Sequence, residues 1–136
     1  MLKFGFVGLN DMTEAMCINL LKMPNSMAFV NDVSIARVEY VSEHGAVGCE
    51  MAVDVVDRAD IIVMMHKSFT ELQATMYSIM GNLTSQKIIL DLSVISPRQA
   101  LDIASMLKTT GAEYADITTL NTFEEVEAQK ATLLYG

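Results

Sequence analysis

Tryptophan is absent, proline and cysteine occur only twice each, and aromatic residues together make up 7% of this 136-residue chain. With so few rings the core must be filled by aliphatic side chains and by the 11 methionines. Several of these recur at helical spacing among other apolar positions, so they read as adaptable core filler rather than as a sticky surface. Cys17 and Cys49 stand in no CxxC or Cys/His spacing, and both are expected to be buried, reduced thiols of a cytoplasmic protein. Basic residues are scarce: nine Lys and Arg against 17 Asp and Glu leave a net charge of −8. That field repels phosphate backbones and anionic headgroups, so neither nucleic acid nor membrane is expected as a partner. Long apolar runs are missing too, the longest being about five residues as at Ile61 to Met65, where a bilayer-spanning helix needs roughly 20. The chain opens directly on a strand pattern, and no leader is expected. No HExxH, Walker or nucleophile-elbow pattern occurs, and no metal site is expected.

What is present is a strict alternation of strand and helix signals. Lys3 to Gly8 is a short apolar run ending in glycine, with Asn10 and Asp11 as helix starters. Met12, Ala15, Met16, Leu20 and Met23 then mark one helical face, closed by Pro24-Asn25. A strand at Met27 to Val30, a helix at Ser34 to Glu43, a minor strand at Ala46 to Cys49 and a short helix at Asp54 to Arg58 follow. Asp60 to Met65 and Lys87 to Leu92 are continuously apolar, the pattern of strands buried on both faces. Ser68 to Glu71 and Ser96 to Gln99 have capping-box spacing, the second with Pro97 at the first helical position. Their helices are expected to end at Gly81 and Gly111. A strand at Glu113 to Ile117, a capping box at Thr122 to Glu125 and a last strand at Thr132 to Tyr135 complete the pattern. Strands separated by helices imply right-handed crossovers, hence one α/β domain over residues 1–136 with a doubly wound, mostly parallel sheet covered by helices on both faces.

Phe4-Gly5-Phe6-Val7-Gly8-Leu9, Asn19-Leu20-Leu21, Ala59 to Val63, Asp91-Leu92-Ser93-Val94-Ile95-Ser96-Pro97 and Gly111 to Asp116 resemble, in order and spacing, the Rossmann-type cofactor-binding half of the β-hydroxyacid dehydrogenases. These include 3-hydroxyisobutyrate dehydrogenase, tartronate semialdehyde reductase and 6-phosphogluconate dehydrogenase-like enzymes. The resemblance implies a domain that binds NAD or NADP, followed by an all-helical domain supplying a catalytic lysine and most dimer contacts. No such helical domain lies within the 136 residues. The chain is therefore read as a fragment or as a stand-alone domain, with a homodimer or the missing helical domain as its partner.

The residues that the resemblance places at the cofactor are Gly8, Leu9, Asn10, Asp11, Met12, Asn31, Met64, Met65 and Val94. Their chemistry has changed. The fingerprint G-x-G-x-x-G uses its glycines for the turn, for approach of the pyrophosphate and for helix packing; here it reads Gly8-Leu9-Asn10-Asp11-Met12-Thr13, and only the first glycine remains. Asn10 is expected to tolerate a left-handed conformation while filling pyrophosphate space, and Thr13 adds a branched side chain at the tight contact. Asp11 puts a carboxylate on the helix N-terminus, taking the anion's place at the positive end of the dipole. An ordinary helix cap at Asn10 and Asp11 is the preferred reading over a phosphate contact. Asn31 stands where a ribose hydroxyl would be read, and Asp32 where members that prefer NADP often carry arginine, so NAD is favoured. Met64 and Met65 are expected in the core, His66 in solvent and His44 in a turn.

By the same resemblance the substrate loop has also diverged, since Ile117-Thr118-Thr119-Leu120-Asn121-Thr122 lacks the family's serine and glycine pair; no catalytic residue is assigned. Glu124, Glu125 and Glu127 read as a solvated helix start. The leading expectation is the cofactor-binding domain of a diverged 3-hydroxyisobutyrate dehydrogenase-like oxidoreductase, with weakened or lost NAD binding and no catalysis by this chain alone. The rivals are a pseudoenzyme scaffold for dimerisation or protein interaction, and a crevice adapted to a different small ligand.

Overall fold

The computed structural model describes residues 1–119 and 133–135. Strands β1 (Leu2–Val7), β2 (Ser26–Asn31), β3 (Val47–Gly48), β4 (Ile61–Met64), β5 (Ile88–Asp91), β6 (Glu113–Thr119) and β7 (Leu133–Tyr135) form one sheet in the order β3-β2-β1-β4-β5-β6-β7. The first six run parallel, and β7 pairs antiparallel to β6. Helices α1 (Asp11–Leu21), α2 (Ile35–Ser42), α3 (Ala52–Arg58), α4 (Phe69–Ile79) and α5 (Pro97–Leu107) provide the crossovers. This is the doubly wound α/β architecture that the strand and helix alternation predicts.

Because successive strand residues face opposite ways, each strand supplies two cores. Val7, Phe29, Ile62, Met64 and Ile89 pack with Val55 and Val56 of α3, Leu72 and Met76 of α4 and Ile103 of α5. Phe6, Ala28, Val30 and Val63 face the other way, onto Cys17 of α1 and Val41 of α2. Gly5 explains the close seating of α3, since a Cβ there would come within 2.6 Å of Val55. Cys17 is wholly enclosed, and its burial, aided by the Glu14 charge, pushes its thiol up to about 12.

Several boundaries differ from expectation. Helix α4 stops at Ile79 and tightens into a 3-10 turn at Met80–Asn82, while α5 does the same at Lys108–Thr110 before Gly111 closes it with φ of 79°. Ser96 and Gln99 make their capping box around Pro97 as expected. Cys49, expected buried in β3, lies just past that strand and is only half-buried. Leu120, Asn121, the box at Thr122 and the carboxylates at Glu124, Glu125 and Glu127 fall outside the described residues.

Candidate functional site

The chain reverses direction across the sheet at β1, whose neighbours are β2 and β4, so the turns leaving these strands diverge and open a crevice at their carboxyl ends. Gly8 begins the turn after β1 with φ of 90°. A Cβ there would lie 1.8 Å from the Met65 carbonyl oxygen, so the β1–α1 turn rests directly on the backbone leaving β4. Only glycine satisfies both the backbone angle and the contact.

The next amides of the turn are spoken for within the protein. The Leu9 amide donates to Oδ2 of Asp32 at 2.7 Å, and Oδ1 of Asp32 accepts the Ser34 amide at 2.7 Å. Asn10 is the N-cap of α1: its Oδ1 accepts the Thr13 amide and Oγ1 of Thr13 accepts the Asn10 amide, both at 2.9 Å. This reciprocal box corrects two expectations. Asn10 is extended, with φ of −142°, rather than left-handed, and Thr13 is not a steric burden but a fully buried member of the cap. The box holds the turn in shape without the second and third glycines.

Asp11 stands in the first turn of α1 as expected, but it does not fill the anion's place at the turn. Its side chain, 74% exposed, accepts no amide of the helix terminus and reaches outward to Arg37 Nη1 at 3.3 Å. The carboxylate that takes the anion's place at the turn is that of Asp32. Arg37, on the first turn of α2, is also paired with the nearly buried Glu14 of α1. Between these helices runs a groove of about 520 Å³ whose lining includes Ile18, Arg37, Tyr40 and His44. His44 lies in the turn after α2, as expected, with Nδ1 3.0 Å from the Tyr40 carbonyl oxygen.

The other assigned positions divide. Asn31 donates through Nδ2 to the Cys49 carbonyl at 3.0 Å, so its side chain holds the residue that follows β3. Leu9 is buried in the core and Met12 is half-buried. Met64 is fully enclosed among core residues and does not line the crevice; Met65 is half-buried and touches it through its backbone. Val94, 80% exposed, stands at the rim on the β5–α5 turn.

His66 is not a solvent residue. Its amide donates to Ser93 Oγ at 2.8 Å, Nε2 lies 2.8 Å from Thr75 Oγ1, and Nδ1 is buried with no partner among the described residues. Beneath it Asp91, fully buried at the end of β5, accepts the Ser93 amide at 3.0 Å and the Tyr114 hydroxyl at 2.6 Å. Burial, then the bond to Asp91, pushes the Tyr114 phenol well above its usual range, and burial followed by the Asp91 charge raises Asp116. The turn after β4, the end of β5 and the start of β6 are thus joined by one polar chain that the sequence did not reveal. The Asp32 bond to Ser34 and the Asp91 bond to Ser93 each had a local signal, an Asx turn two residues long. The Leu9–Asp32, His66–Ser93 and Tyr114–Asp91 bonds link residues 23 or more apart, and His66 and Thr75 are separated by nine. Among the described residues no group of three potential metal ligands occurs, and no helix is long and apolar enough to cross a membrane.

Comparison with known proteins agrees with this fold. The sequence model of a family described as the NAD binding domain of 6-phosphogluconate dehydrogenase matches residues 3–136. The chain is 30% identical, over 99% of its length, to 2-(hydroxymethyl)glutarate dehydrogenase of Eubacterium barkeri. It is also 30% identical, over 85% of its length, to 2-hydroxy-3-oxopropionate reductase of Escherichia coli K12. It spans 46% of the first relative and 40% of the second, somewhat under half of each. In structure it is similar to a 3-hydroxyisobutyrate dehydrogenase of Mycobacterium tuberculosis solved with L-serine, with a TM-score of 0.92 at 18% identity, covering all of this chain and 46% of that one.

Proposed function

The chain belongs to the family of the NAD binding domain of 6-phosphogluconate dehydrogenase, and from that premise we propose that it is a cofactor-binding domain whose own turn competes with the dinucleotide, so that NAD is held weakly. One observation carries this reading: the Leu9 amide already has a carboxylate acceptor at 2.7 Å. A pyrophosphate approaching the turn must displace Asp32 or forgo that donor, and it meets the Asp32 charge in either case. A hydrogen bond to a charged group contributes about 1.5–3 kcal/mol, so losing it weakens binding about tenfold to a hundredfold. The Asn10–Thr13 box removes two more amides from use.

The residues fit the dinucleotide in part. Gly8 keeps the backbone close to the crevice, and Asn31 Oδ1 can accept a ribose hydroxyl. Asp32 disfavours a 2′-phosphate, while Arg37, the nearby cation, is engaged by Asp11 and Glu14. NAD is therefore preferred over NADP. When bound, the nicotinamide would donate or accept a hydride. Reaction with a small 3-hydroxy acid belongs to a longer protein with a catalytic lysine, which this chain alone does not provide.

A second reading, a pseudoenzyme scaffold for dimerisation or for docking another domain, gains from the same internal satisfaction of the turn. Titration of the chain with NADH, followed by nicotinamide fluorescence, separates the two. Saturable binding in the high micromolar to millimolar range fits the first reading, and no binding leaves the second.

A further inference from the structure

We infer that His66 is the positioning residue of the crevice floor: its uncharged ring ties the β4–α4 turn to α4, its amide ties the same turn to the β5–α5 turn, and together they keep the Met65 carbonyl seated under Gly8. The amide bond to Ser93 Oγ and the ring contact to Thr75 Oγ1 are both 2.8 Å, the first reaching the β5–α5 turn and the second α4. Met65, immediately before, donates its own amide to the Val7 carbonyl at 3.0 Å, so any movement of His66 is passed to the strand end from which the β1–α1 turn leaves.

The orphaned Nδ1 identifies the state of the ring. Were the proton on Nδ1, a buried N–H would have no acceptor, which is the costlier defect; with the proton on Nε2, the ring donates to Thr75 and only a lone pair goes unpaired. A charged ring must carry both protons and bury an unsatisfied donor. Burial accordingly lowers His66 from its usual 6.5, against the opposing pull of Asp91 on β5, Glu71 on α4 and Asp32 after β2. The exposed Lys67 follows it in the chain. Acid therefore works against the tie. The folded state binds fewer protons at this site than the unfolded chain, so the contribution is complete above the usual 6.5 and declines as pH falls below it.

The consequence for ligand rests on the reading that the dinucleotide lies in this crevice, but the positioning role can be tested without it. In the whole chain, nuclear magnetic resonance of the His66 ring, assigned with His66→Gln, is expected to show the Nε2-protonated tautomer and a midpoint below 6.5. Hydrogen exchange at the Met65 and His66 amides is expected to speed up about threefold to tenfold in His66→Ala and in Thr75→Val, the effect of losing one ordinary hydrogen bond. His66→Gln, whose side-chain amide can still donate to Thr75, is expected to restore slow exchange. NADH affinity should follow the same order and should fall with acid in the wild type but not in His66→Gln. Unchanged exchange in both His66→Ala and Thr75→Val, or a midpoint at or above 6.5, would overturn the inference. Slow exchange restored by Gln in a protein that binds no NADH would sustain it while removing the dinucleotide reading.

Discussion

The amide of Leu9 and the carboxylate of Asp32, 23 residues apart, meet at 2.7 Å across the mouth of the crevice. The same carboxylate takes the Ser34 amide, so a single side chain ties the turn after β1 to the turn after β2. A second tie runs beside it, from Arg37 on α2 to Asp11 and Glu14 on α1. A turn that in this fold presents free amides to phosphate is here pinned by the protein's own acid.

The Asn10–Thr13 box makes a separable contribution. Thr13→Gly restores a glycine of the fingerprint but removes one half of the cap, and loss of an N-terminal cap costs about 1 kcal/mol, up to about 2. Thermal unfolding should shift down by roughly 3–10 °C for a domain of this size. NADH should nevertheless bind more tightly, because the Asn10 amide loses its acceptor. Stability and affinity moving in opposite directions is the outcome to look for by calorimetry; a fall in both would count against a competing turn.

Gly8→Ala is expected to be far more damaging than its size suggests. The added methyl carbon would sit 1.8 Å from the Met65 carbonyl oxygen, and the backbone angle is one that alanine rarely adopts. Displacing the end of β4 should cost about 3 kcal/mol or more, read as the change in the urea midpoint. Gly81→Ala, where an added Cβ meets nothing within 4 Å, serves as the control and should change the midpoint little.

The fold was readable in the sequence because its signals are local. Apolar runs of strand length, the glycine after β1 and the Ser96-Pro97 start of α5 each act within a few residues, and together they locate the strands and helices along the chain. The bonds around the crevice were not readable in the same way. That Asn10 is a cap follows from its residue type, but the partnership with Thr13 is hidden because Thr13 stands at a glycine position of the fingerprint. Nothing near Asp11 in the chain reveals that it turns outward to Arg37, and nothing near His66 reveals Thr75 or Ser93. These depend on how helices pack across the sheet, which periodicity does not encode.

Tyr114→Phe tests the polar chain beneath the crevice. The change keeps the ring and removes the hydroxyl that donates to the buried Asp91 at 2.6 Å, leaving a carboxylate oxygen with one donor fewer. A destabilisation of about 1.5–3 kcal/mol is expected from denaturant unfolding. The matching change at Tyr77, 64% exposed, should be nearly silent. Because burial and Asp91 hold the Tyr114 phenol protonated, alkaline difference absorbance should also show one tyrosine that ionises only on unfolding.

The most direct test is calorimetric titration of the wild type and Asp32→Asn with NADH and NADPH at low salt. The substitution removes the charge and keeps an acceptor for the Ser34 amide. The account predicts weak NADH binding by the wild type, in the high micromolar to millimolar range, a gain of about tenfold in Asp32→Asn, and a larger relative gain for NADPH. Low-micromolar NADH binding by the wild type, with no gain on removing the carboxylate, would contradict it.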